Sequence, residues 1–247
     1  MKNLIHAELL KLRTTRAFWA YIAFALAFVP VSIALTMTVS NDGLVLESSE
    51  GISAVFSAAS STYLFLLLVG ITMMAGEFRH NTVTTTFLIT PDRRRVIAAK
   101  LAAGGSVGVL TTAVSSLLTL AVALPWLAAR DIDVDLLSAA VGAPILGGLL
   151  ATGLGTAFGI GLGAVMPNQT LAITVVVVWT MIVEGLLIGF LPEVGRWLPA
   201  GASSALGGTW TAEGGLLPFW GAALVLTGYA LASAAAGTQL VTRKEIT

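Results

Sequence analysis

Six long stretches of the chain consist almost entirely of apolar residues, and most polar residues lie between them. A helix needs about 20 apolar residues to cross the roughly 30 Å hydrocarbon core of a bilayer. The pattern therefore predicts an all-α polytopic membrane protein with six transmembrane helices. We predict the spans at about 17–39, 54–75, 97–127, 136–165, 170–191 and 216–241. The first stretch is longer than the apolar core of a signal peptide, so we expect it to be retained.

The amino-acid composition also indicates a membrane protein. Of the 247 residues, 56% are hydrophobic and only 11% are charged, whereas about 25% of the residues of a soluble domain are charged. The mean hydropathy is +0.91, and a soluble chain of this size cannot bury so much apolar surface in one core. The formal net charge is zero, so no nucleic-acid partner is expected. The chain has no cysteine, which excludes disulfides and thiolate metal sites.

Basic residues give the orientation, because they are retained on the cytoplasmic side of a membrane. If both termini are cytoplasmic, only Arg130 and Arg196 of the 13 Lys and Arg residues lie outside. The other eleven are Lys2, Lys11, Arg13, Arg16, Arg79, Arg93, Arg94, Arg95, Lys100, Arg243 and Lys244. The sequence therefore predicts a multi-pass protein of the plasma or inner membrane. Its six-span domain covers 17–241, and a cytoplasmic tail covers 242–247.

The N-terminal segment, residues 1–16, has the pattern of an amphipathic helix that lies in the inner membrane interface. Its apolar side chains share one arc of a helical wheel, and basic residues flank that arc. Glu8 falls within the apolar arc, so its carboxylate needs a partner, and Lys11 follows three residues later. Two interpretations stay open: a membrane anchor that sets the topology, or a docking surface for a cytosolic partner.

The cytoplasmic loop between spans two and three, residues 76–96, is the richest polar segment. Asn81 is a candidate cap for a short helix that runs to residue 88. Thr90, Pro91 and Asp92 predict the start of a second helix, with a capping hydroxyl and a proline in the first turn. The basic residues of this loop also suit simple retention and attraction to anionic lipid.

Two motifs resemble those of permease subunits of type-2 ABC exporters. The first is E-x-x-K-x-x-T-T-R, formed by Glu8, Lys11, Thr14, Thr15 and Arg16. The second is E-x-R followed by T, P-x-x-R and K, formed by Glu77, Arg79, Thr82, Pro91, Arg94 and Lys100. Six spans with cytoplasmic termini also match that family.

The resemblance implies a coupling helix in the loop, which would contact a separate ATPase subunit. The residues that would couple to the ATPase are Glu77, Arg79, His80, Asn81, Thr82, Thr84, Thr85 and Arg94. Those of the N-terminal docking surface are Glu8, Lys11 and Arg16. The resemblance also implies a second permease copy or paralogue as a partner, forming a homodimer or a heterodimer. The rival interpretation is a non-transporting membrane protein, such as an assembly or sensor subunit.

The chain lacks the motifs of an enzyme. It has no G-x-x-x-x-G-K-[ST] loop to cradle nucleotide phosphates. Its two histidines, His6 and His80, both fall on the predicted cytosolic side, so an intramembrane zinc or serine–histidine centre is not expected. We therefore expect no catalytic, cofactor or metal site in this chain. We expect the partner ATPase to bind ATP and Mg²⁺.

One acidic residue, Glu184, lies inside a predicted span. An ionised carboxylate at the bilayer centre is costly, so Glu184 is a candidate for the translocation path, together with Thr180 four residues earlier. The alternative is a hydrogen-bonded carboxyl between helices.

Small residues at four-residue spacing let helices approach closely. They occur at Gly155, Gly159 and Gly163 in span four, and at Gly104 and Gly108 in span three. They predict packing within one bundle or a homodimer seam.

The outer loop over 192–215 contains Trp197 and Trp210 among small residues. Indole rings favour the membrane interface. The loop therefore suits a re-entrant or interfacial hairpin, and an ordinary loop with two aromatic anchors is the alternative.

Overall fold

A computed structural model describes residues 1–39, 46–80, 82, 92–208, 215 and 217–243. Six helices in these ranges are long and apolar enough to cross a membrane, at Arg16–Thr38, Ser49–Arg79, Arg93–Ala128, Ala139–Val165, Gln169–Phe190 and Phe219–Leu240. We call them spans one to six in chain order. The described residues form helices and no strands, so the prediction of an all-α protein with six apolar helices is confirmed.

Further helices precede, interrupt and follow these spans. The N-terminal helix is Lys2–Thr14, and an extended Thr15 separates it from span one. Span two consists of α-helix Ser49–Phe56, a 3₁₀ segment Ser57–Thr62 and α-helix Tyr63–Arg79. Span five consists of α-helix Gln169–Val178, a π-helical segment Trp179–Glu184 and α-helix Gly185–Phe190. After span five come the short helix Pro192–Gly195 and the helix Pro199–Gly207, which we call the outer helix. The last helix is Phe219–Arg243.

Span two forms the centre of the bundle. Of its most apolar window, 78% is buried within the protein, against 22% for span one and 17% for span five. Spans one and five therefore leave most of their apolar surface to lipid or to another subunit.

Glycines allow span four to pack directly on span two. A Cβ atom at Gly159 would overlap the carbonyl oxygen of Leu67, and one at Gly155 would overlap the ring of Tyr63. The glycine pair in span three faces Ile160 and Thr156 of span four in the same way. Of the two interpretations of these small-residue faces, the structure supports packing within one bundle.

Hydroxyl groups connect the three central spans. Thr112 of span three donates a hydrogen bond to Thr152 of span four at 2.8 Å, and its hydroxyl lies 3.3 Å from that of Thr62 in span two. Ser115 donates to the carbonyl of Ala59 at 3.1 Å. Such bonds satisfy polar groups where water is excluded.

Two helices extend beyond the predicted spans on the side that we predict to be cytoplasmic. Residues 76–79 are still helical, because span two continues to Arg79, so the loop begins later than residue 76. Span three begins at Arg93, and its cap is Asp92, whose side chain accepts a hydrogen bond from the backbone N–H of Arg95 at 3.2 Å. The proline therefore precedes the helix. The short helix predicted from Asn81 lies outside the described residues except Thr82, and so does Trp210.

Candidate functional site

Four charged side chains meet at the end of the bundle that we predict to be cytoplasmic. They are Glu8, Lys11, Glu77 and Lys100, and we call them the ion cluster. Lys100 Nζ lies 2.6 Å from Glu8 Oε2 and 2.7 Å from Glu77 Oε1. Lys11 Nζ lies 2.8 Å from Glu8 Oε1 and 2.8 Å from Glu77 Oε1. Each lysine thus bridges both carboxylates, and the formal charges of the cluster sum to zero.

Three members of the cluster are buried. Lys100 is 1% exposed, Glu8 is 5% exposed and Glu77 is 8% exposed. Lys100 also donates to the carbonyl oxygen of Met73 at 3.4 Å, so each of its three N–H bonds has an acceptor. Buried charges are tolerated when they are paired and hydrogen-bonded, and this cluster meets that condition for its central lysine.

The cluster joins elements that are far apart in sequence. Glu8 lies on the buried face of the N-terminal helix, beside Leu12. Glu77 lies in the last turn of span two, and Lys100 lies two turns into span three. The N-terminal helix is therefore attached to both helices that flank residues 80–92.

Lys11 is the accessible member, with a side chain that is 46% exposed. Partial burial alone would lower the pKa of Lys11, but the hydrogen bonds and negative charges of Glu77 and Glu8 outweigh it and raise the pKa above its usual value. Lys11 therefore stays protonated at neutral pH.

A cavity of about 440 Å³ lies beside the cluster, between the N-terminal helix, span one and span two. Its lining combines the apolar side chains of Phe18 and Tyr21 with the polar side chains of Lys11 and Glu77. Arg79 lines the cavity and is exposed. The cavity therefore lies next to the ion cluster.

The structure brings some of the predicted residues together and leaves others apart. Glu8, Lys11 and Glu77 are in contact, as the spacing of Glu8 and Lys11 predicts for that pair. The other predicted residues at this end, Arg16, Arg79, His80, Thr82 and Arg94, are exposed. Asn81, Thr84 and Thr85 lie outside the described residues.

Sequence reasoning missed the central role of Lys100. The lysine belongs to the second motif, but the sequence analysis counted it only among the basic residues on the cytoplasmic side. Val96, Ala99 and Ala103 are buried on the same helix, so a lysine within this apolar stripe was the available signal for a buried charge.

Glu184 lies in the π-helical segment of span five and is 1% exposed. Its Oε2 accepts a hydrogen bond from the backbone N–H of Ala200 in the outer helix at 2.6 Å. This geometry favours the hydrogen-bonded carboxyl between helices over a side chain that lines an open path. Thr180, in the same segment, is half-buried.

The outer helix packs inside the bundle. A Cβ atom at Gly147 of span four would overlap the backbone of Leu206, and most residues of the outer helix are buried. This favours the predicted hairpin over an ordinary loop. Trp197, before the outer helix, is 51% exposed.

No group of three or more His, Asp or Glu side chains that could hold a metal ion occurs in the described ranges.

The sequence model of a family described as ABC-2 family transporter protein matches residues 4–191. The chain belongs to the ABC-2 transporter family. The match runs from the N-terminal helix to the end of span five, so it includes the whole ion cluster and Glu184. As an ABC-2 family member, the chain is a permease-type, multi-pass membrane component of an ABC transporter. No curated protein matches the chain.

Proposed function

We propose that this chain is the permease subunit of an ATP-driven exporter in the plasma or inner membrane. It forms the translocation path and couples to a separate ATPase subunit. The sequence has no phosphate-binding loop, so the partner binds ATP and Mg²⁺ and hydrolyses the ATP. The permease itself is then not an enzyme and holds no cofactor.

The ion cluster is the observation that carries this proposal. It ties the N-terminal helix to the ends of spans two and three, which flank residues 80–92. A buried, paired cluster resists separation, because removing one partner leaves an uncompensated buried charge. A force applied by the ATPase to residues 80–92 therefore moves the N-terminal helix and both spans together.

The exposed residues around the cluster suit a contact with another protein. Arg79 and Arg94 lie on either side of residues 80–92, and both are exposed. Their guanidinium groups form directional bonds with carboxylates. We propose that acidic side chains of the ATPase bind there, while the N-terminal helix supplies Lys11 and the first residue of span one supplies Arg16.

The translocation path requires a second permease copy or a paralogue. Spans two, three and four pack closely at their glycines and are joined by hydrogen bonds from hydroxyl groups. Spans one and five, by contrast, bury little of their apolar surface within the chain. A path between two permeases is consistent with both observations.

Co-purification tests the proposal. We expect the tagged chain, extracted from its native membrane, to carry a subunit with a G-x-x-x-x-G-K-[ST] motif and ATPase activity. The double variant Arg79→Glu, Arg94→Glu should lose that subunit while still inserting. Arg130→Glu is the matched control, because Arg130 is exposed and predicted on the outer side. A stable chain without an ATPase would favour an assembly or sensor subunit, and normal association of the double variant would place the contact elsewhere.

A further inference from the structure

The cavity beside the ion cluster follows one face of span two. The lining residues of that face are Val69, Thr72, Met73 and Gly76, and Arg79 lines the cavity in the last turn of the span. Val69 and Arg79 are ten residues apart, which is about 15 Å along a helix. The hydrocarbon core of a bilayer is roughly 30 Å thick. The lining therefore extends over about the depth of one leaflet.

The lining changes from polar to apolar along this length. Phe18 and Tyr21, in the first two turns of span one, line it together with Val69. Its volume of about 440 Å³ lies in the range of roughly 300–1,000 Å³ that is usual for ligand sites. Ala17 and Arg79 belong to the lining and are exposed, so the cavity opens at the surface of the protein.

The charges at the polar end of the cavity favour an anion. The ion cluster is neutral as a whole, and Lys11 donates one hydrogen bond each to Glu8 and Glu77, which leaves its third N–H for another acceptor. Arg79 is exposed and forms no ion pair in the part of the chain that the structure describes. His80, which also lines this end, can only add positive charge.

These features fit a molecule with one anionic group and a long apolar part. Basic pockets between transmembrane helices on the cytoplasmic side bind phospholipid headgroups. A small phosphate compound would leave the apolar walls uncovered, and an uncharged lipid would make no use of the cationic end.

We propose that this cavity binds an anionic phospholipid of the inner leaflet. Its phosphate accepts hydrogen bonds from Arg79 and Lys11, and an acyl chain packs against Phe18 and Tyr21. The lipid thereby contacts the N-terminal helix, span one and span two at once. Arg79 has five N–H donors, so a lipid phosphate and a carboxylate of another subunit can share it. The site lies wholly in this chain and does not depend on the proposed function.

Native mass spectrometry of the purified full chain in detergent measures lipid binding directly. We expect dimyristoyl phosphatidylglycerol to bind about tenfold more tightly than dimyristoyl phosphatidylcholine, whose choline group cancels the negative charge. Arg79→Gln should weaken binding of phosphatidylglycerol by about tenfold, the effect of losing one hydrogen bond to a charged group. Arg94→Gln is the matched control, because Arg94 is exposed at the same end but lies outside the described lining. It should change the affinity by less than about threefold.

A second variant tests the apolar part of the site. A Cβ atom at Gly76 would lie 3.8 Å from the side chain of Gln169 and 4.0 Å from that of Thr72, and both residues line the cavity. Gly76→Leu therefore fills part of the cavity without a backbone clash, and leucine favours the helix more than glycine does. It should weaken binding by about tenfold, the effect of losing about two buried methylene contacts. Gly228→Leu on span six, with open space around it, is the control and should leave binding unchanged.

Four results would overturn the proposal. Equal weakening by Arg79→Gln and Arg94→Gln would show a general attraction between basic residues and anionic lipid. Equal affinity for phosphatidylcholine would exclude recognition of a net negative charge, and equal affinity for inorganic phosphate would assign the site to a soluble anion. Unchanged binding in Gly76→Leu would place the lipid elsewhere. If Gly76→Leu does not accumulate, the two arginine variants at exposed positions decide the outcome.

Discussion

Replacing Lys100 with methionine tests whether the ion cluster holds together the N-terminal helix and the ends of spans two and three. Methionine keeps most of the volume of the side chain but removes the charge and all three hydrogen bonds, to Glu8, Glu77 and Met73. The two carboxylates then share only Lys11, whose side chain is half-exposed.

The expected loss of stability in Lys100→Met follows from the burial of the lysine. Removing one partner of a buried ion pair costs about 3–5 kcal/mol, because an uncompensated charge remains. Lys100 is 1% exposed and pairs with two carboxylates, so we expect a loss near the lower end, about 3 kcal/mol, with Lys11 compensating in part. Lys11→Met should cost at most about 1 kcal/mol, because water and salt screen an exposed pair.

Denaturant unfolding in detergent micelles, followed by tryptophan fluorescence, measures these losses. The double variant Lys100→Met, Glu8→Met is the matched control. It restores the charge balance and leaves the Lys11–Glu77 pair. Replacing a buried ion pair by apolar residues of similar volume is often neutral, so the double variant should regain at least about 2 kcal/mol of the loss.

A loss of less than about 1 kcal/mol in Lys100→Met, the range of an exposed pair, would contradict a stabilising role for the buried ion cluster. An equal loss in Lys11→Met would also contradict it, and so would a loss in the double variant that equals the sum of the losses in the two single variants. Additivity would show that Lys100 and Glu8 do not interact in the folded protein.

Three further predictions follow from other contacts. Gly159→Ala should destabilise the chain by about 1–3 kcal/mol in the same assay through overpacking, whereas Gly142→Ala, with open space around it, should be neutral or stabilising; equal effects would refute the close packing of span four. Thr112→Val should lower the free energy of unfolding by about 1 kcal/mol, since the hydroxyl of Thr152 loses its buried donor. An unchanged free energy of unfolding would show that the folded protein lacks this hydrogen bond. The raised pKa of Lys11 adds stability that is complete below its unfolded value of 10.5 and is lost as pH rises through the folded value; an alkaline titration of unfolding free energy should show a smaller decline for Lys11→Met, and an unchanged decline would contradict the raised pKa.

The positions of the six spans could be predicted from the sequence because lipid imposes a simple requirement. Each segment that crosses the bilayer must be apolar over about 20 residues and satisfy its own backbone hydrogen bonds. Glycine spacing likewise predicted close helix packing, although it could not identify Tyr63 and Leu67 as the partners of the span-four glycines.

Features that depend on contacts between distant parts of the chain could not be predicted from the local sequence. The pairing of Lys100 could not be predicted, because its two carboxylate partners lie 23 and 92 residues away in sequence. The outer helix is nine residues long and rich in glycine, alanine and serine, so it has no hydropathy signal of its own. At the start of span three, Thr90 and Asp92 were both capable of capping, and the choice of Asp92 is visible only in three dimensions.

Accessibility of single cysteines tests the central claim most directly, namely that the ion cluster and residues 80–92 face the cytosolic ATPase. The chain has no cysteine of its own, so His80→Cys and Arg130→Cys each give one reporter at an exposed site. In intact cells, a membrane-impermeant maleimide should label Arg130→Cys, and it should label His80→Cys only after the membrane is permeabilised. Labelling of His80→Cys in intact cells would place the charged end outside the cell and contradict the account.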